Sequence, residues 1–98
     1  FRITAIDIAK AITPRTTAIM LTTPHNPTGA ILSESDIREI GELALQHDLW
    51  IISDEVYEDL VFSDTAFTSA LAIPELSERV IVVSSISKSH AAPGFRSG

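Results

Sequence analysis

The chain alternates short unbroken apolar runs with amphipathic stretches. Ala18-Ile19-Met20-Leu21-Thr22, Leu49-Trp50-Ile51-Ile52-Ser53 and Val80-Ile81-Val82-Val83-Ser84 each carry continuous apolarity between polar residues. Continuous rather than alternating apolarity predicts strands buried on both faces of a parallel sheet. Trp50, at the start of the second run, is expected in the core. Between the first two runs, Ser33 to about His47 reads as the strongest helix. Ser33 caps it, Asp36 completes a capping box and Leu32 staples to Ile37. Ile37, Ile40, Leu43 and Ala44 recur at helical spacing and form its inward stripe. Glu34 and Arg38 make an exposed pair worth a few tenths of a kcal/mol. A shorter helix starts near Ile3, with Thr4 as cap, Asp7 in the box position and Ile3 stapled to Ile8; Pro14 stops it. Tyr57 to Val61 reads as a loop or short turn. Thr68 to Leu71 is a weak helix or irregular stretch ending near Pro74.

Strand, crossover helix, strand implies right-handed parallel connections. The expected fold class is therefore α/β, a mostly parallel sheet with crossover helices. Ninety-eight residues make at most one domain, and 45% apolar with 20% charged residues is globular. A formal charge of −6 argues against nucleic acid or an anionic membrane as a partner. No apolar run approaches spanning length, no signal peptide is visible, and there is no cysteine. A cytoplasmic location is the expectation. Both ends look cut, so a fragment of a longer protein is expected.

In open α/β sheets ligands bind outside the carboxyl ends of the strands. The first strand delivers Asn26-Pro27-Thr28-Gly29 there. The second delivers Asp54 and then Tyr57. The third delivers Ser85, Ser87 and Lys88, with Arg96 eight residues further on. An amine near a cation in a desolvated pocket can form a Schiff base with an aldehyde. Hydroxyls and a guanidinium suit a phosphate. A buried carboxylate can pair with a protonated ring nitrogen, and a phenol and an amide can hold a ring oxygen. An aldehyde, a phosphate, a ring nitrogen and a ring hydroxyl together describe pyridoxal 5′-phosphate.

Each residue also has a plainer reading. Lys88 alone is a surface loop lysine, Asp54 alone a cap for a turn at Glu55, and Tyr57 alone a packing residue. Asn26-Pro27-Thr28-Gly29 alone is an ordinary turn. Ser87 is balanced between phosphate ligand and loop hydroxyl. Convergence of three loops on one sheet edge favours the shared site. His47 is given no chemistry; His25, next to the asparagine motif, could approach substrate and His90 could line the rim, but a structural role is favoured for both. Glu55 and Glu58 are expected to be solvated or ion-paired. The histidine spacing and the absence of cysteine argue against a metal site.

The stretches "PHNPTGA", "ISDEVYEDLVF" and "SSISKSHAAPGFRSG" resemble, in order, those of the class I/II aminotransferases, pyridoxal-phosphate enzymes of fold type I in the aspartate aminotransferase superfamily. The separations of 28 residues from Asn26 to Asp54 and 34 from Asp54 to Lys88 fit. Residues 1–98 would then be the central part of the cofactor-binding large domain, without the small C-terminal domain. The resemblance implies that Lys88 forms the Schiff base and moves the substrate proton. It implies that Asp54 holds the ring nitrogen protonated, and that Tyr57 and Asn26 bond the ring oxygen. Ser85 and Arg96, with Ser87 as a less certain helper, would bind the phosphate. A cis peptide before Pro27 and a special turn conformation at Gly29 follow from the same likeness. The implied activity is amino transfer from an amino acid to a 2-oxo acid by a homodimer. The alternatives are a carbon–sulfur β-lyase or synthase of the same superfamily, or an inactive structural fragment. The isolated fragment is expected to lack turnover.

Overall fold

The computed structural model describes residues 2–62, 64 and 66–98. Strands β1 (Ala18–Thr22), β2 (Trp50–Asp54) and β3 (Val80–Val83) form a parallel sheet in the order β1-β2-β3. Helix α1 (Ala5–Ala11) precedes β1, and α2 (Glu34–Gln46) crosses from β1 to β2. Between β2 and β3 the expected weak helix or irregular stretch takes the form of a 3-10 turn, Ala70–Ala72, followed by a second, Pro74–Leu76. Proline at the first position suits the second turn, because no partner is needed there for its missing N–H. A single helical turn, α3 (Ile86–Ser89), follows β3 and carries Lys88. A further 3-10 turn spans Pro93–Phe95.

Both helices begin as their sequences dictate. Thr4 with Asp7, and Ser33 with Asp36, form complete capping boxes. Burial pushes the Asp36 carboxyl upward, but hydrogen bonds from the Ser33 hydroxyl and N–H and the Arg2 guanidinium outweigh it, so its pKa is lowered. Arg38 pairs with Glu34 at 2.8 Å and also reaches Glu75 at 3.2 Å, tying α2 to the second 3-10 turn.

The core gathers Ile8, the α2 stripe Ile37, Ile40 and Ala44, Ile73 and Leu76 of the 3-10 region, and Ile19, Leu21, Ile51 and Val80 of the sheet. Leu43 packs against its margin. These strand residues share one face, since side chains alternate along a strand. The opposite face carries Met20, Trp50, Ile81 and Val83, all exposed. Among the described residues the helices and turns cover one face, so the expected covering of the strands is met on that side within residues 2–98. Trp50 is not in the core but 44% exposed, with the Arg79 guanidinium 5.6 Å from its ring centroid. No helix among the described residues is long and apolar enough to cross a membrane.

Candidate active site at the carboxyl edge of the sheet

The three strand ends deliver their loops to one edge, and backbone hydrogen bonds lock those loops together. Thr23 donates its N–H to the Asp54 carbonyl at 3.0 Å, and Glu55 donates to the Val83 carbonyl at 2.8 Å. The ladder therefore continues past the strands, and the chain around Asp54 is fixed from both sides. The β1 loop is closed by its own bonds. Buried Thr23 accepts the Leu32 N–H on its hydroxyl at 3.1 Å, His25 donates to the Ala30 carbonyl at 2.8 Å, and Gly29 donates back to His25 at 2.7 Å. Gly29 has φ +71°, a conformation other residues adopt at a cost. The peptide before Pro27 is cis, as the resemblance implied, and so is the one before Pro24.

This frame presents Asn26 to Tyr57. The Asn26 amide donates to the Tyr57 hydroxyl at 3.1 Å, joining residues 31 apart in sequence. Tyr57 is half-buried in a turn closed by Glu58 N–H to Glu55 C=O at 2.9 Å and Leu60 N–H to Tyr57 C=O at 2.9 Å. The Lys88 ammonium, although its residue is exposed, lies 5.9 Å from the Tyr57 ring centroid. Asn26, Tyr57 and Lys88 thus meet, one from each loop. Pro24, Asn26, Pro27, Tyr57 and Leu60 line an open depression of about 340 Å³ beside them.

Asp54 closes β2 in register with Thr22 and Val83, on the open face of the sheet. One carboxylate oxygen accepts the Val56 N–H at 3.3 Å, so the plainer capping role is present. That weak bond occupies one oxygen and leaves acceptor capacity for a further donor. Ser85 caps α3 and accepts the Ser87 N–H at 3.3 Å; both serines are half-buried. Arg96 stands apart from this group. Its guanidinium donates to the Pro93 carbonyl within its own turn at 2.8 Å, and no hydrogen bond joins it to Ser85 or Ser87. Its backbone is left-handed, at φ +49°.

Of the two acidic residues expected to be solvated or ion-paired, Glu58 is exposed and Glu55 is not. Glu55 is neither solvated nor paired with a described cation. It is 1% exposed, and its Oε1 accepts the Ser53 hydroxyl at 2.8 Å and the Ala70 N–H at 3.0 Å. Glu58 accepts the Ser84 hydroxyl at 3.1 Å, linking the Tyr57 turn to the end of β3. The period of two along β2 places Glu55 on the side of Ile51 and Ser53, so its burial was readable. The Glu58–Ser84 link spans 26 residues and has no local signature. His25 bonds Thr28 at 2.8 Å and His90 bonds Ser89 at 2.8 Å, both within their own loops.

The family model "Aminotransferase class I and II" matches residues 1–98. The arginine–pyruvate transaminase of Pseudomonas aeruginosa is 46% identical over 98 residues, covering 100% of this chain and 25% of the relative. The aromatic-amino-acid aminotransferase 2 of Thermococcus litoralis is 41% identical over the same length and coverage. Among solved structures, the aromatic aminotransferase from Pyrococcus horikoshii superposes with a TM-score of 0.93 at 38% identity, over 98% of this chain and 26% of that one. The chain spans about a quarter of the length of these relatives. A match along its whole length, with a shared fold at such identity, makes this chain a member of the class I and II aminotransferases.

Proposed function

We propose that residues 1–98 are the cofactor-binding centre of a pyridoxal 5′-phosphate-dependent aminotransferase, within its large domain. The reading rests on one observation: Asn26, Tyr57 and Lys88, from three successive strand-end loops, converge on one sheet edge. The donor set suits this cofactor. An amine, a carboxylate with a spare acceptor, a phenol paired with an amide, and hydroxyls at the next turn match its aldehyde, ring nitrogen, ring oxygen and phosphate. When bound, the cofactor supplies the electron sink for the charge left as a substrate loses its α-proton.

The chain's own residues do the rest. Lys88 would hold the cofactor's aldehyde carbon through its amine; once the substrate's own amino group has displaced that amine, the freed Nζ would take the α-proton and give it up again on the reverse path. Asp54 accepts a hydrogen bond from the ring nitrogen and keeps its proton in place. Tyr57, held by Asn26, donates its hydroxyl to the ring oxygen. Ser85, Ser87 and Arg96 hold the phosphate, which requires the Arg96 guanidinium to leave the Pro93 carbonyl. Relatives named for arginine, aromatic amino acids and aspartate all share this segment, at 46%, 41% and 38% identity. This supports assigning the segment the common chemistry, with donor choice residing elsewhere. A cytoplasmic homodimer belongs to the same reading, and light scattering on the full-length protein tests the dimer.

The activity test supplies the full-length protein with single amino acids, with and without a 2-oxo acid acceptor. Amino transfer that requires the acceptor is expected. Pyruvate and ammonia released without it would replace transfer with β-elimination.

A further inference from the structure

We propose that Glu55, a buried carboxylate that takes no part in the chemistry, is a positioning residue that sets where Asp54 and Tyr57 stand. The inference rests on the cofactor reading of those two residues. Asp54 and Glu55 are adjacent carboxylates at the end of β2. Side chains alternate along a strand, so one faces the open side of the sheet and the other the core. Glu55 takes the core side, where its Oε1 accepts the Ser53 hydroxyl at 2.8 Å and the Ala70 N–H at 3.0 Å. Both donors are buried. A carboxylate leaves water at high cost unless donors meet it. These two donors therefore select Glu55 for the inner side and leave Asp54 on the outer.

The same residue starts the Tyr57 turn. Glu55 donates its N–H to the Val83 carbonyl at 2.8 Å, and its own carbonyl accepts the Glu58 N–H at 2.9 Å. Its backbone thus joins β3 to the turn, and its side chain fixes the rotation of that junction from the core. Ala70 adds a second tie. It opens the 3-10 turn Ala70–Ala72, 15 residues downstream, so the chain returning toward β3 is pinned to the strand end. Without this anchor the backbone at Glu55 is free to rotate about its own dihedrals. Asp54 on one side and Tyr57 on the other then shift together. These are the two residues assigned to the ring nitrogen and the ring oxygen.

The test follows the absorbance of pyridoxal 5′-phosphate bound to the full-length protein as pH is varied. A protonated ring nitrogen and a hydrogen bond to the ring oxygen both disfavour a proton on the nitrogen through which Lys88 holds the cofactor. Loosening either contact raises the midpoint. Glu55→Gln removes the charge and keeps an acceptor, whereas Glu55→Ala removes both, so the difference between them isolates the anchor. We expect the Glu55→Ala midpoint to lie above that of Glu55→Gln by about half a pH unit or more, about threefold in proton affinity. Ile40→Ala, which loosens the core away from this edge, should keep the wild-type midpoint. Equal midpoints in the two Glu55 variants, or a shift as large in Ile40→Ala, overturn the proposal and leave the cofactor reading standing. A wild-type protein that binds no pyridoxal 5′-phosphate removes that reading, and this proposal with it. If Glu55→Ala does not fold, Glu55→Asp keeps the charge and withdraws the carboxylate by one methylene. Its midpoint should exceed wild type by a similar amount, and an unchanged midpoint there overturns the proposal.

Discussion

Replacing Glu55 with alanine is the sharpest test of how the strand end is held. The carboxylate is 1% exposed and accepts two hydrogen bonds on one oxygen, from Ser53 at 2.8 Å and Ala70 at 3.0 Å. Both donors are buried. The serine hydroxyl can rotate toward another acceptor, but the Ala70 N–H is fixed in the backbone and cannot. A buried donor left unpaired costs about 1–3 kcal/mol. With tenfold per 1.4 kcal/mol, that predicts roughly 5- to 150-fold faster hydrogen exchange at Ala70. Glu55→Gln keeps an acceptor oxygen and loses charge assistance, worth about 1 kcal/mol, so about fivefold faster exchange is expected. The assay is hydrogen exchange on the full-length protein, followed at Ala70 and at amides of the α2 core. Wild-type exchange at Ala70 in a folded Glu55→Ala variant would refute the reasoning. So would acceleration equal at every core amide, which would mark a global rather than a local loss.

Three further outcomes follow from the scaffold. Asp36 has a lowered pKa, so its contribution is complete above the ordinary aspartate value of about 3.9 and fades as pH falls through the lowered one. Asp36→Asn should therefore be less stable than wild type by about 0.5–2 kcal/mol near neutrality, with the gap closing in acid, as read by denaturant unfolding at several pH values. Ile40 is fully buried, so Ile40→Ala should cost about 2–5 kcal/mol in the same unfolding experiment. Gly29→Ala meets no atom within 4 Å but must adopt φ +71°, so about 1–2 kcal/mol of backbone strain is expected, visible as a lowered unfolding midpoint.

Local rules carried much of this structure. The capping boxes at Thr4 and Ser33, the α2 stripe and the three strands depend on neighbours within a few residues, and each forms where the sequence places it. The meeting of Asn26, Tyr57 and Lys88 was readable because parallel strands send their carboxyl ends to one edge. The failures share a different cause. Trp50 was assigned to the core from continuous apolarity, which does not reveal which sheet face a given segment covers. Glu55 was taken as solvated because it is charged, whereas alternation along β2 turns it inward to two donors. Pro74 does end the preceding stretch, as read, but it also begins a second 3-10 turn that was not foreseen.

The central claim is that the Lys88 amine meets the cofactor at this edge. Borohydride reduction of the full-length protein in the presence of pyridoxal 5′-phosphate, followed by peptide mapping, tests it most directly. The account predicts a stable label on Lys88 that Lys88→Ala abolishes. A label on another lysine, with Lys88 unmodified, would contradict it.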